Sequence, residues 1–230
     1  MSTVLLFDID GTLVSSSGVG RVAIERAFEL RHGRADVLPA SFAGRTDKAI
    51  TRDALLALGL RFGTEADLAR EVDDTLAAYL RILEEKLMGP HRVRIHAGIE
   101  RALDLADRRA DVALGLGTGN VIGGARLKLG CVGLFHRFAF GGFGDDAIER
   151  DKIILAGANR GAARLNQPLK SCRVVVVGDT PLDIAAAQAI GADSIAVATG
   201  VHTVEELRAH HPTLACETLA APGVDEVLLG

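Results

Sequence analysis

The sequence has no tryptophan, one tyrosine and eight phenylalanines, so aromatics make up 4% of its 230 residues. A core built from it must be aliphatic, drawn from Leu, Val, Ile and Ala. Cysteine is equally scarce. Cys131, Cys172 and Cys216 are odd in number and far apart, and they form no CxxC pair. That argues against a disulfide framework or a zinc site and for a reducing compartment, with a cytoplasmic location expected. Charge is balanced, with 26 Lys and Arg against 30 Asp and Glu and a formal net charge of -4. No broad basic field is present to hold a nucleic-acid backbone, so nucleic acid is not an expected partner. The N-terminus lacks a basic segment before its apolar run, and no apolar run approaches the ~20 residues of a membrane span, so neither a signal peptide nor a membrane partner is expected.

The remaining composition, 48% hydrophobic and 24% charged, is that of an ordinary globular chain. Its length suits one domain, or one domain with an insertion. Short apolar runs ending in Gly, Asp or Thr read as strands covered on both faces. They are Thr3 to Ile9, Asp111 to Leu116, Arg173 to Val177 and Ser194 to Ala198, with His136 to Phe140 as a weaker candidate. Helical patterns lie between them. Asn120 to Leu129 opens on a capping Asn; Pro181 to Ile190 has Thr180 as cap and Gly191 as stop. Strand–helix alternation predicts an α/β fold with a parallel sheet and helices on both faces.

From Ser15 to Arg94 the alternation breaks. Three helical patterns fill the stretch: Gly18 to Arg31, Thr46 to Leu58 and Thr64 to Leu87. In the last, Leu68, Val72, Leu76, Leu80, Leu83 and Leu87 form one amphipathic stripe, and Thr64 with Asp67 makes a capping pattern. Gly89-Pro90 marks the expected way out. The expected organisation is a core of residues 1–14 and 95–230 with an all-helical insertion over 15–94.

The strand ends carry the chemistry. In a parallel sheet ligands bind beyond the carboxyl ends of the strands. The first strand delivers Asp8-Ile9-Asp10-Gly11-Thr12, and Arg173 to Val177 delivers Gly178-Asp179-Thr180-Pro181-Leu182-Asp183. Carboxylates from two strand ends can converge on a hard cation such as Mg²⁺. Capping competes as the role of Asp183, since Thr180-x-x-Asp183 is itself a capping box. A third strand end, Gly117-Thr118-Gly119-Asn120, offers a hydroxyl and an amide where an anion could sit; its plain alternative is a strand-to-helix turn capped by Asn120. Arg150 and Lys152, in Glu149-Arg150-Asp151-Lys152, are the candidate cations. Arg45, in Gly44-Arg45-Thr46-Asp47, could clamp an anionic substrate or simply open a helix. Asp145 and Asp146 read as surface turn residues in a flexible Phe140–Asp146 loop. The seven histidines fall on no motif strand end and read as structural or surface residues.

Asp-x-Asp-Gly-Thr, then Thr, then Lys or Arg, then Gly-Asp-x-x-x-Asp resembles, in that order, the haloacid dehalogenase superfamily. The helical insertion resembles the cap of its phosphoglycolate phosphatase-like branch. The resemblance implies a Rossmann-like doubly wound core and a Mg²⁺-dependent phosphatase of a small phosphorylated metabolite, as a monomer or homodimer. It makes Asp8 the nucleophile that takes the phosphoryl group and Asp10 the acid–base residue. Asp8, the Asp10 carbonyl, Asp179 and Asp183 would hold Mg²⁺. Thr118, Gly119 and Asn120 would face the phosphoryl oxygens, and Arg150 or Lys152 would neutralise charge. A phosphosugar mutase and a catalytically idle binding member share the motif set. Dehalogenation fits less well, because it does not need Asp10.

Overall fold

The computed structural model describes residues 1–89 and 93–230. Pro90 of the expected Gly89-Pro90 exit lies outside the described residues, as does His91.

β1 (Thr3–Phe7) is buried along its whole length. It is followed by a short β2 (Val14–Ser15). Three helices come next: α1 (Val19–His32), α2 (Asp47–Ala57) and α3 (Glu65–Leu87). β3 (Arg94–Ile95) then pairs antiparallel with β2, Val14 opposite Ile95. This ribbon ties the chain leaving the sheet to the chain returning to it. Two-residue strands give no alternation to read, which is why the sequence shows no strand there.

The rest of the chain is α4 (Ile99–Asp107), β4 (Val112–Gly117), α5 (Ile122–Gly130), β5 (Gly141–Gly142), α6 (Arg150–Arg164), β6 (Arg173–Gly178), α7 (Pro181–Ala189), β7 (Asp193–Val197), α8 (Val204–Arg208), β8 (Leu214–Cys216) and α9 (Val224–Leu229). The main sheet has the order β5-β4-β1-β6-β7-β8, every pair parallel. The fold is the Rossmann-like α/β sheet with helices on its faces. From β1 the order runs one way through β4 and β5, and the other way through β6 to β8, so the carboxyl end of β1 lies at the topological reversal.

Register then decides what meets there. Phe7 lies beside Leu116 of β4 and Val177 of β6. One residue on, Asp8 leaves β1 as Gly117 leaves β4 and Gly178 leaves β6; Thr118 and Asp179 follow at once. Adjacent strands are about 4.8 Å apart, so residues far apart in sequence arrive side by side. One apolar cluster, with Leu5, Phe7, Leu103, Leu116, Val175 and Ile195, holds one face of this sheet. Each such aliphatic side chain, fully buried, contributes roughly 1.5–3 kcal/mol.

The inserted helices have their own apolar cluster, in which Phe28 of α1 and Leu55 of α2 meet Leu76 and Leu83 of α3. Of the stripe read from sequence, Leu68, Val72, Leu76 and Leu83 are buried, while Leu80 and Leu87 are partly buried against the cluster. Tyr79, off the stripe, is buried as well. The Thr64 hydroxyl accepts from the Asp67 N–H and caps α3.

Three expectations are corrected. His136 to Phe140 is not a strand: Phe135–Arg137 is a 3₁₀ turn, and pairing begins at Gly141. The following stretch is not a loose loop, because Phe143 is buried in the core. Gly141-Gly142 has no side chain to announce a strand, and its place in the sheet comes from pairing with Leu116 and Gly117. Asn120 does not cap α5 either. The helix starts later, with Val121 in the cap position and no side-chain cap bond, which frees Asn120 for other partners.

Candidate active site

Asp8 stands just past β1, buried, its N–H donated to the Val177 carbonyl. Gly11 then takes a positive φ of 82° in a turn whose Thr12 hydroxyl donates to Asp179 Oδ1 at 3.1 Å. A Cβ on Gly11 would stand 2.3 Å from Asp179 Oδ2, so both the turn and the space require glycine here. Asp183, in the first turn of α7, completes a capping box with Thr180. It is thus a cap and a member of the site at once. Oxygens of Asp8, Asp179 and Asp183, all buried, lie within 4.8 Å of one another.

Three carboxylates so close in a dry corner resist ionisation. Burial above all, with Asp183 and Asp10 nearby, pushes Asp8 up to about 6 against the pull of Arg150 and a Thr118 hydrogen bond. Burial, then Asp183 and Asp8, raise Asp179 to about 8. An all-oxygen, crowded, under-neutralised donor set of this kind fits a hard divalent cation such as Mg²⁺. Asp10 does not contribute its carboxylate to the cluster.

Of the two candidate cations, Arg150 enters. Its Nη2 lies 3.0 Å from Asp8 Oδ1 and 2.5 Å from Asp183 Oδ1, and its Nε donates to Asp183 Oδ1 at 2.8 Å. Lys152 stays exposed on α6, paired with Glu149 at 2.8 Å. Arg150 is the first residue of α6, and the helix aims it inward where Lys152, two positions on, is turned away. Arg150 also reaches the insertion, its Nη1 lying 3.3 Å from the Gly44 carbonyl it donates to.

Asp10 is engaged on both oxygens. Ser16 donates to Oδ1 at 3.1 Å, and Asn120 Nδ2 and Lys128 Nζ donate to Oδ2 at 2.9 and 2.5 Å. Burial works to raise this carboxyl, but the Lys128 ammonium, with its hydrogen bond and those of Asn120 and Ser16, holds it below the usual carboxylate value. Asn120, expected to face substrate, lines the cavity and also links Asp10 to the Thr118 hydroxyl, to which its Nδ2 donates at 3.0 Å.

Thr118 is buried at the end of β4. The N–H groups of Val121 and Ile122 are already satisfied by the carboxylates of Asp47 and Asp145, at 2.9 and 2.6 Å. That leaves the Gly119 region, which lines the cavity, rather than the helix terminus as the open part of this turn. Gly119 is where the insertion sits down on the core: a Cβ there would be 2.6 Å from the Arg45 carbonyl. Arg45 lines the cavity while paired with Asp53. Asp146, read as a surface turn residue, pairs with Arg160 at 2.7 Å and fixes the Phe143 N–H.

Sequence reasoning missed Asp47, Tyr79 and Lys128. All three line the same cavity of about 400 Å³ as Asp8, Asp10 and Arg150, roofed by Ile24, Phe42 and Ile50 of the insertion. Asp47 followed Arg45-Thr46 as a possible cap; its carboxylate in fact caps α5 of the core, and burial pushes it up to about 6 despite Lys128 and the Val121 N–H. Lys128 had no local signal beyond a charge among apolar neighbours.

The HAD-hydrolase-like family model matches residues 154–222. The chain is 26% identical over 229 residues to the probable phosphatase IndB of Dickeya dadantii, covering 96% of this chain and 91% of that one. Among solved structures it resembles a hydrolase from Pseudomonas syringae, with a TM-score of 0.69, 19% identity and 99% of both chains covered. It also resembles beta-phosphoglucomutase from Clostridium difficile, with a TM-score of 0.69, 16% identity, and 99% and 97% covered. At those identities the structural likeness speaks for the fold.

The matched stretch is that of haloacid dehalogenase-like hydrolases, and the whole-chain relative is a probable phosphatase, so the comparisons speak for a phosphohydrolase. No described helix is long and apolar enough to cross a membrane.

Proposed function

We propose that the protein is a Mg²⁺-dependent phosphatase of a small phosphomonoester, working through an aspartyl-phosphate on Asp8. The observation that carries this is the convergence of Asp8, Asp179 and Asp183 with Arg150 between two of them, beside a cavity that also holds Asp10.

Asp8 is the nucleophile. One of its oxygens bonds to phosphorus as the ester oxygen departs. Arg150 offsets the repulsion between that carboxylate and the phosphate and holds Asp8 in line. Thr118 donates to a phosphoryl oxygen. Asp10 gives a proton to the leaving oxygen, then takes one from the water that attacks the same phosphorus and frees Asp8. Its lowered pKa suits the second half. Negative charge arriving with the substrate raises it for the first. Asp8, the Asp10 backbone carbonyl, Asp179 and Asp183 would hold Mg²⁺. Bound there, the ion would supply charge neutralisation of the transferring group.

The cavity, about 400 Å³, falls in the range of small-molecule sites and supports a substrate of sugar-phosphate size over the smallest phosphates. Ser15 to Gly18 at the hinge and Phe42, Ile50 and Tyr79 in the insertion would surround its leaving group. The test is phosphate release across a panel of phosphomonoesters with Mg²⁺, run beside Asp8→Asn. Release by the native chain that the variant lacks supports the reading. Full activity in Asp8→Asn overturns it. Isomerised hexose phosphate in place of free phosphate would assign a mutase instead.

A further inference from the structure

We infer that Lys128 is a positioning residue for Asp10, a role that rests on the phosphoryl-transfer reading above and extends it to a side chain outside the strand-end motifs.

Lys128 lies in the last turn of α5 and is buried, 4% exposed. An ammonium out of water is costly unless paired, and an aliphatic residue would fill a helix face there at less cost. What the lysine offers is its donors. Nζ lies 2.5 Å from Asp10 Oδ2 and 2.7 Å from Asn120 Oδ1. Asn120 is thereby oriented so that its Nδ2 meets the same Asp10 oxygen and the Thr118 hydroxyl. Lys128 therefore anchors a hydrogen-bonded chain joining the acid–base carboxylate to the residue that faces the phosphoryl group.

Local structure makes the reach possible. A lysine stem in a helix runs back toward the helix N-terminus. One turn earlier stands Gly124, which puts nothing in its way. A Cβ on Gly124 would lie 3.6 Å from Asn120 Oδ1, 3.7 Å from Tyr79 Oη and 3.8 Å from Asp47 Oδ2. Two groups of the insertion and one of the core thus gather at that spot. Asp10 needs the support. It sits on a turn, with its side chain 39% exposed, where the other groups that hold it are Ser16 and the Asn120 that Lys128 itself orients. An acid–base group must be held within a few tenths of an ångström of its proton's path, and loss of that order slows the chemistry without weakening substrate binding.

The test is K128M assayed with the best substrate of the panel. Expected is a fall in kcat of about 100-fold with KM within about threefold of native. K128A adds a second readout, because it vacates the space of a propylammonium beside the cavity. Propylammonium should raise its kcat by about tenfold while 1-propanol does not, since the charged donor is what is missing. The role is overturned if K128M keeps kcat within about threefold, if its loss lies in KM alone, or if alcohol and amine rescue K128A equally. Should K128M melt below assay temperature, the amine–alcohol comparison in K128A decides. An inactive Asp8→Asn beside a fully active K128M overturns only the role of Lys128. An active Asp8→Asn overturns the reading beneath it.

Discussion

A guanidinium on a helix's first residue can be aimed into a core, and Arg150 shows what that does. It is buried, and its own pKa is raised: burial opposes the charge, but Asp183 and Asp8 more than compensate. Breaking such a buried pair strands the partner charge, which costs more than the pair itself contributes. Arg150→Met should therefore cut kcat by about 100-fold or more, whereas Lys152→Ala, at an exposed pair of little worth, should stay within about twofold. Steady-state phosphate release by the two variants checks this; the reverse order of effects would exchange their roles. Asp8, Asp10 and Asp179 were legible because each follows a recognisable strand. The choice between Arg150 and Lys152 was not, since both precede or open the same helix and only the helix's rotation separates them. Lys128, Asp47 and Tyr79 were illegible for a different reason: each does its work across a tertiary contact.

At the scale of elements, the long apolar runs and the punctuated helices are where local signals and tertiary structure agree. Thr180 with Pro181 and Asp183 forms the expected capping box and ends up placing Asp183 in the cluster. Where the two levels conflict, tertiary contacts decide. Gly141-Gly142 is a strand through pairing alone, and Asn120 gives up the cap of α5 for Asp10, with Asp47 of the insertion taking over the helix N–H. The β4–α5 turn is therefore also the seat of the cap. Asp47 N–H donates to the Gly119 carbonyl at 2.9 Å, and the Thr46 hydroxyl donates to the Ile148 carbonyl at 3.1 Å. Gly119→Ala would press a methyl against the Arg45 carbonyl and Thr46 Cα, 2.6 and 3.0 Å away. Displacing the insertion by that amount should raise KM and lower kcat, each by about tenfold. Kinetics unchanged from native would show that the insertion does not close on this turn.

Across the whole molecule, the site is built at the expense of stability. Asp8 and Asp179 hold protons up to about 6 and 8, where the unfolded chain releases them near 3.8. With more protons on the native state, stability falls as pH rises from the unfolded value and the loss is complete above about pH 8. Asp47, raised to about 6, adds to this. Asp10, lowered, contributes stability that is already complete above the ordinary carboxylate range. His32 and His96 have lowered values, which favours the native state as pH rises to 6.5 and opposes the trend only below that. Between pH 6.5 and about 8 the metal-free chain should therefore lose thermal stability, chiefly through Asp179. Mg²⁺ should raise Tm, and more so at the upper end of this range, because the carboxylates then ionise against the cation. Melting curves with EDTA and with Mg²⁺ at several pH values check both statements; a Mg²⁺ shift that is absent, or that shrinks with pH, would contradict the assignment of the cluster.

The proposed chemistry turns on Asp8 taking the phosphoryl group. Asp10→Asn, which keeps the nucleophile and removes the base that activates water, should accumulate the intermediate when mixed with substrate and Mg²⁺. Acid quenching followed by peptide mass spectrometry should then place the mass of one phosphoryl group on the peptide that carries Asp8, and nowhere in Asp8→Asn. Phosphate released from substrate with no modified peptide, or with the group on another residue, would contradict the account.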